Sequence, residues 1–174
     1  MTTDSLSGCD YHAHARLTQT AASQRTWVAE MIRRYQEKDL PELLEVWRRA
    51  SLVAHSFLPA DFILDEAEKI PTIYVPAAEI WVYVLNEMVV GFIALGDTEV
   101  VAIFVDPDYH GQGIGRALMD HARSLRGELL VDVFKLNQVG RRFYERYGFK
   151  VVAEYHHAES GQQVIRMRLS RSEL

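Results

Sequence analysis

Apolar residues recur along this chain in two rhythms, and the rhythm changes wherever glycine, proline or asparagine interrupts it. Met31–Tyr35 reads as a strand. From Asp39 to Ala50 the residues Leu40, Leu43, Leu44 and Trp47 fall on one helical face, with Asp39 placed to cap and Pro41 in the first turn. Asp61–Lys69 reads as a second, short helix between Pro59 and Pro71. Ile80–Leu85 and Val89–Leu95 are apolar runs that flank Asn86-Glu87, the signal of a hairpin. Gly96-Asp97 marks another turn before the strand Glu99–Val105. Gly113–Leu125 reads as a helix with Ile114, Leu118, Ala122 and Leu125 on one face. Leu129–Val133 then reads as a strand and Asn137–Tyr147 as a helix. Phe149–Tyr155 and Val164–Leu169 form a last strand pair around Ser160-Gly161.

The order β-α-α-β-β-β-α-β-α-β-β predicts the α/β class. An antiparallel meander followed by a β-α-β unit gives a mixed, mostly antiparallel central sheet flanked by helices. The chain has 174 residues, enough for one domain with a good-sized core. Residues 1–30 are polar and small, so they read as a peripheral N-terminal extension, and the domain proper as 31–174. A net charge of −5 argues against a nucleic-acid partner, which wants a basic face. No apolar stretch reaches the roughly 18 residues of a membrane span, so no membrane association is expected. The single cysteine, Cys9, has no internal partner, and a reducing cytoplasm is the expected location. His12 and His14 have no evident third ligand, and no metal is expected.

The most informative run is Val105-Asp106-Pro107-Asp108-Tyr109-His110-Gly111-Gln112-Gly113-Ile114-Gly115-Arg116. A strand enters three glycines in five residues and then a helix. Glycines let backbone N–H groups approach a ligand closely, and a helix N-terminus adds unpaired donors and a partial positive charge. Together they suit a pyrophosphate. A Walker A loop is excluded because no Lys-Ser or Lys-Thr occurs in the chain. The spacing Gly111-x-Gly113-x-Gly115 also differs from the dinucleotide fingerprint. A Gly-rich turn without a ligand is the plain alternative.

This run resembles the acyl-coenzyme A loop of the GNAT (Gcn5-related) N-acetyltransferases, Arg/Gln-x-x-Gly-x-Gly/Ala. Asn137-Gln138-Val139-Gly140-Arg141-Arg142-Phe143-Tyr144-Glu145-Arg146-Tyr147-Gly148-Phe149 resembles the second signature of that family, Asn-x-x-Ala-x-x-Phe-Tyr-x-x-x-Gly-Phe. The two stand one helix and one strand apart, as in the family. Ala54-His55-Ser56-Phe57-Leu58 further resembles a His-x-Phe-Leu element of small bacterial members. The resemblance spans residues 31 to about 170. It departs at His110, which replaces the loop's usual Arg or Gln, and at Gly140, which replaces Ala at a helix-propensity cost of roughly 1 kcal/mol.

The resemblance implies the GNAT acyl-CoA N-acyltransferase fold, acetyl-CoA as cosubstrate, and direct attack by an amine in a ternary complex. It implies that Phe104, Val105, His110, Gly111, Gln112, Gly113, Ile114, Gly115, Arg116, Asn137 and Tyr144 bind the cofactor. The N–H groups of Phe104 and Val105 would face the pantetheine, one of them stabilising the oxyanion. Tyr144 is the expected general acid for the leaving thiolate, with Tyr147 as runner-up. A core tyrosine is the alternative reading of Tyr144. Asn137 either caps its helix or bonds the pantetheine.

Glu99 is the first candidate for the general base, acting through water, and His55 the second. Each has a structural alternative, a solvated strand end or a packed imidazole. Trp81 and Phe57 are placed in the acceptor pocket, and Asp61, Asp65, Glu66 and Glu68 are candidates for attracting a cationic amine. The expected partner is an amine acceptor, either a small molecule or a protein lysine or N-terminus. A homodimer through the C-terminal hairpin is also considered. The competing function is a non-catalytic acetyl-CoA-binding regulatory module.

Overall fold

The computed structural model describes residues 30–171. In chain order the elements are strand β1 (Glu30–Arg34), helices α1 (Leu40–Ala54), α2 (Ala60–Lys69) and α3 (Val75–Ala77), and strands β2 (Glu79–Leu85), β3 (Met88–Leu95) and β4 (Glu99–Val105). Helix α4 (Ile114–Arg126), strand β5 (Leu129–Phe134), helix α5 (Gln138–Tyr147) and strands β6 (Lys150–His157) and β7 (Gln162–Leu169) follow. The order is the expected one, with α3 added. The expected N-terminal extension, with Cys9, His12 and His14, lies outside the described residues apart from Glu30.

One seven-stranded sheet runs β1-β2-β3-β4-β5-β7-β6. Every neighbouring pair is antiparallel except β4 and β5. The β2–β3 hairpin turns on Asn86 and Glu87, both at positive φ (50° and 67°). A two-residue turn with both central residues left-handed matches the twist of the strands it joins. The parallel pair β4–β5 is short: only Glu99↔Leu130 and Val100↔Val131 are in register. On its other side β4 pairs with β3 as Ala94↔Ala102 and then Leu95↔Val100, which leaves Val101 as an extra, bulged residue. A bulge bends its strand and raises its twist. Beyond Val101 β4 therefore leaves β5, and the two strands diverge toward Val105 and Phe134.

Each face of the sheet is covered by helices. Ile114, Leu118, Met119 and Ala122 of α4, with Tyr144 of α5 and Phe149, pack against Ile93, Leu129, Val131 and Met167. On the opposite face Leu43 and Val46 of α1 pack against Val82, Val84, Phe92 and Ala94. Leu125, expected on the inner face of α4, is 39% exposed, and Met119 is buried instead.

Three local expectations are corrected. Helix α1 continues four residues past Ala50 to Ala54. Pro71 does not end the helical path: Ile70–Tyr74 form a π turn that leads into α3. A widened turn absorbs the missing proline N–H without breaking the helix. Asp39 precedes α1, yet its side chain makes no cap. It is buried, takes Arg33 bidentately at 2.6 and 2.8 Å, and accepts the Gln36 N–H at 2.8 Å. The pair ties β1 to the start of α1.

The Arg33 hydrogen bonds hold the Asp39 carboxyl below its ordinary pKa against the opposing effect of burial. A lowered folded-state pKa contributes stability that is complete above the ordinary carboxylate range and is lost as pH falls toward the lowered value. Asp39→Ala strands Arg33 largely buried and should cost about 3 kcal/mol at pH 7. The difference from wild type should shrink below about pH 4, as read from urea unfolding at both pH values.

Candidate active site

The site grows from the end of β4. Asp106, 7% exposed, sends its N–H to Val90 O at 2.9 Å and accepts the Asp108 N–H at 2.9 Å. Arg49 of α1 reaches Asp106 and Asp108, each at 2.8 Å. This fastens the loop to α1 just before the glycines. His110 turns back onto the strand, and its Nε2–H donates to Val105 O at 2.9 Å. Gly111 and Gly113 have φ of 79° and 86°, where L-residues are strained. A Cβ at either would meet nothing within 4 Å, so backbone conformation and access, not crowding, require glycine there. Gly115 is different, because its Cβ would press on the Phe143 ring at 3.3 Å. Gly113 caps α4, with its carbonyl accepting the Ala117 N–H at 2.9 Å. The N–H groups of Ile114, Gly115 and Arg116 then precede the first helical bond and are open donors.

The alternation of an antiparallel ladder decides which β4 amides face the gap. Asp106 N–H bonds β3, so the amides two and four residues earlier, Phe104 and Ala102, bond β3 as well. Val105 and Ile103 point their N–H groups toward the gap left by β5. The expectation that the Phe104 and Val105 amides both face the gap is corrected: the Phe104 N–H is used by β3, and the Val105 N–H faces the gap with that of Ile103. Phe104 contributes its ring.

A cavity of about 920 Å³ runs from the glycine loop through this gap to the face covered by α1 and α2. Phe104, Val105, His110, Gly111, Gly113, Ile114, Gly115, Arg116, Asn137 and Tyr144 line it, whereas Gln112 and Glu99 do not. Its ends differ in charge. Arg116, Arg142 and Arg146 stand on the α4–α5 side, and Glu66, Asp132 and Glu159 also line the wall. The residue composition fits coenzyme A: glycine amides and a helix N-terminus for phosphate, three arginines beside them, and open strand amides for pantetheine. Arg142, Arg146, Asp132 and Glu159 were not singled out from sequence. The signal for Asp132 was available, since it is one carboxylate in the otherwise apolar run Leu129–Phe134.

Helix α5 supplies the interior wall. Asn137 caps it, with Oδ1 accepting the Gly140 N–H at 2.8 Å. Its Nδ2 lies 3.3 Å from His55 Nε2. The capping alternative is therefore the one realised, and Asn137 is engaged by protein on both ends of its amide. Gly140 is explained by the same side chain, because a Cβ there would sit 2.9 Å from Asn137 Nδ2 and 3.2 Å from Val133 Cγ2. Tyr144 is 7% exposed, with its ring against Phe143 and Phe149. Its hydroxyl makes no hydrogen bond with any described residue. Burial pushes its pKa well above the ordinary value, so it is protonated at neutral pH. Tyr147 instead donates to Asp120 Oδ1 at 2.6 Å and does not line the cavity. It is withdrawn as an alternative acid.

His55 sits among Phe57, Phe104 and Phe134, with centroids 5.8 to 6.1 Å away and all edge-on. Desolvation drives its pKa down to about 4, so it is neutral at pH 7. With Oδ1 of Asn137 accepting, Nδ2 must be the donor, and His55 Nε2 the acceptor. That fixes the Nδ1–H tautomer. The lone pair a base would use is already engaged, and the imidazole is a weak base there. Glu99 stands at the closed end of β4, ion-paired with Arg166, and its expected role as base is corrected on that ground. Trp81 meets His121 edge-on at 4.2 Å, away from the cavity, and Phe57 backs His55 without lining it. Of the four α2 carboxylates only Glu66 lines the cavity, bonded to Tyr74 at 2.8 Å.

A splayed parallel strand pair, a glycine loop opening a helix and a buried tyrosine between them define an acyl-coenzyme A-dependent transferase. The acetyltransferase (GNAT) domain family matches residues 76–151. The peptidyl-lysine N-acetyltransferase YjaB of Escherichia coli is 37% identical over 121 residues, covering 69% of this chain and 82% of that protein. Peptidyl-lysine N-acetyltransferase YiaC of the same organism is 31% identical over 123 residues, 70% of this chain and 84% of YiaC. The solution structure of apo YjaB superposes with a TM-score of 0.74 at 30% identity, covering 80% of this chain and 97% of that one. The chain belongs to the GNAT family and is an N-acetyltransferase, moving an acetyl group from acetyl-CoA to an amine.

Two measurements probe this geometry. Gly113→Ala should lose about 1 to 2 kcal/mol, the cost of a left-handed L-residue. It should also weaken acetyl-CoA binding by calorimetry; equal stability and affinity would remove the loop from the site. His55 should titrate near pH 4 by NMR and show the Nδ1–H tautomer at pH 7. Because its folded pKa is depressed, its contribution to stability is present above about pH 6.5 and is lost as pH falls toward 4. The acid-side drop in Tm should therefore be smaller in His55→Gln.

Proposed function

We propose that this protein acetylates lysine side chains of proteins, with Tyr144 serving the leaving thiolate. The acceptor class is supported by YjaB and YiaC, both peptidyl-lysine N-acetyltransferases. The observation that carries the chemistry is Tyr144: a protonated hydroxyl on a buried ring, with no hydrogen-bond partner among the described residues, lining the cavity between the diverging strands. A hydroxyl left unpaired in an apolar wall costs stability unless something else receives it.

On this reading the amides of Ile114, Gly115 and Arg116 hold the pyrophosphate, and the guanidiniums of Arg116, Arg142 and Arg146 add charge beside it. The Val105 and Ile103 amides hold the arm that enters the gap, and Val105 is the nearer to the loop. Acetyl-CoA supplies the thioester. The amine enters from the α1–α2 side, where Phe104 and Phe134 exclude water and His55 packs between them as a neutral ring. The neutral amine nitrogen bonds to the acyl carbon and releases a proton to water, the carbon–sulfur bond breaks, and the Tyr144 hydroxyl donates a hydrogen bond to the departing sulfur, which takes its proton from solvent. The lone cysteine in 174 residues agrees with a cytoplasmic setting.

Tyr144→Phe keeps the ring and its packing. It should leave acetyl-CoA affinity nearly unchanged and lower single-turnover acetyl transfer to a lysine peptide by about 10²-fold. Wild-type single-turnover rates would take Tyr144 out of the mechanism. Lost acetyl-CoA binding would make its hydroxyl structural.

A further inference from the structure

The splay leaves one carboxylate at its apex. The last β4–β5 pair is Val100↔Val131, and Asp132 is the next residue of β5. Val131 faces the α4 core, so Asp132 points to the opposite face, where α1 and α2 wall the cavity that it lines. The carboxylate is held in place by its neighbours. Tyr155 of β6 donates its hydroxyl to Asp132 Oδ2 at 2.7 Å. Arg166 of β7, directly opposite Asp132 in the register, lies 3.8 Å from the same oxygen. Arg166 is itself paired with Glu99. The group Glu99–Arg166–Asp132 therefore carries one net negative charge, and Asp132 Oδ1 receives no hydrogen bond from any described residue. Asp132 is also exposed, with about a third of its side chain open.

We propose that Asp132 is the residue that binds the acceptor amine, its free Oδ1 taking the ammonium hydrogens while Tyr155 and Arg166 fix the carboxylate. This rests on the acetyl-transfer reading above and names which group selects a cationic acceptor. Oδ1 accepts an N–H of the arriving ammonium. One ammonium proton passes to water before attack, the freed nitrogen lone pair forms the C–N bond, a second N–H proton goes to water as the C–S bond breaks, and the departing sulfur, hydrogen-bonded by Tyr144, takes its proton from solvent. Glu99, expected from sequence to meet the amine through water, acts one step removed: it neutralises Arg166 and leaves Asp132 its charge. Tyr155 is a positioning residue in the same sense.

The test uses the full chain, acetyl-CoA and a lysine peptide, with KM for peptide, kcat and acetyl-CoA affinity measured separately. Asp132→Asn keeps the shape and the Tyr155 contact but removes the charge. Losing one charge-assisted hydrogen bond predicts a rise of about 10- to 100-fold in peptide KM, with acetyl-CoA affinity unchanged. Tyr155→Phe leaves the charge in place and should raise peptide KM by less than Asp132→Asn. The rise in Asp132→Asn should be absent for an uncharged nucleophile such as hydroxylamine, which tells a charge effect from a distorted sheet. An unchanged peptide KM in Asp132→Asn, with wild-type enzyme active, overturns the proposal. Equal losses for peptide, hydroxylamine and acetyl-CoA overturn it too, as a structural effect. Wild-type enzyme that acetylates no lysine peptide defeats the underlying reading instead.

Discussion

The structure depends on the failure of two parallel strands to stay paired. β4 and β5 share two register positions and then separate at the Val101 bulge. Each strand past that point has main-chain donors and acceptors with no partner strand, which a closed sheet would never tolerate. The cost is met by leaving the gap open to solvent and ligand, so the binding groove is a direct consequence of interrupted pairing. Everything else in the site is attached to one lip of that gap: the glycine loop to the end of β4, Asp132 to the first free residue of β5, and α5 to the far end of β5.

Holding the lips apart needs stiff neighbours. On the α4 side Gly91 of β3 admits Ile114, since a Cβ there would meet its Cγ2 at 3.2 Å, and Gly115 admits the Phe143 ring. Those two close approaches lock the start of α4 against β3 and α5. On the other side Arg49 anchors Asp106 to α1, and the Asn137–His55 contact joins the α5 cap to the loop after α1. The two walls of the cavity are thus cross-linked by polar contacts at its rim and by aromatic packing inside it. A neutral His55 suits that place, because a charge among three phenylalanines would be expelled or would pull water in.

Element order was legible because periodicity and turn residues report local structure, and this chain is locally consistent. The glycine loop and Tyr144 were legible because two spaced motifs carry them. What the chain hid was tertiary. Asp39 has the sequence position of a cap, but a bidentate arginine six residues earlier outcompetes the helix end for its carboxylate. Pro71 looks like a terminator, and only a π turn reveals that it is not. Glu99 sits at the strand end where a base was expected, yet its use is set by Arg166, 67 positions away in sequence. Arg142 and Arg146 on α5 resemble a solvated face in sequence and become cavity wall only once α5 is docked beside α4.

The proposed role of Tyr144 has a further physical consequence. A thiolate of ordinary pKa near 8.5 is a weaker base than a phenolate, and burial moves Tyr144 further from acidity. Complete proton transfer from this phenol to a free thiolate is uphill. Its contribution must come while the carbon–sulfur bond is breaking, when the developing sulfur charge accepts a hydrogen bond in a place with little water to compete. An apolar setting raises the value of that bond and the pKa together, so the same burial that weakens Tyr144 as an acid strengthens it as a donor. The final proton then comes from solvent as the product leaves along the open lip, and Tyr144 keeps its own.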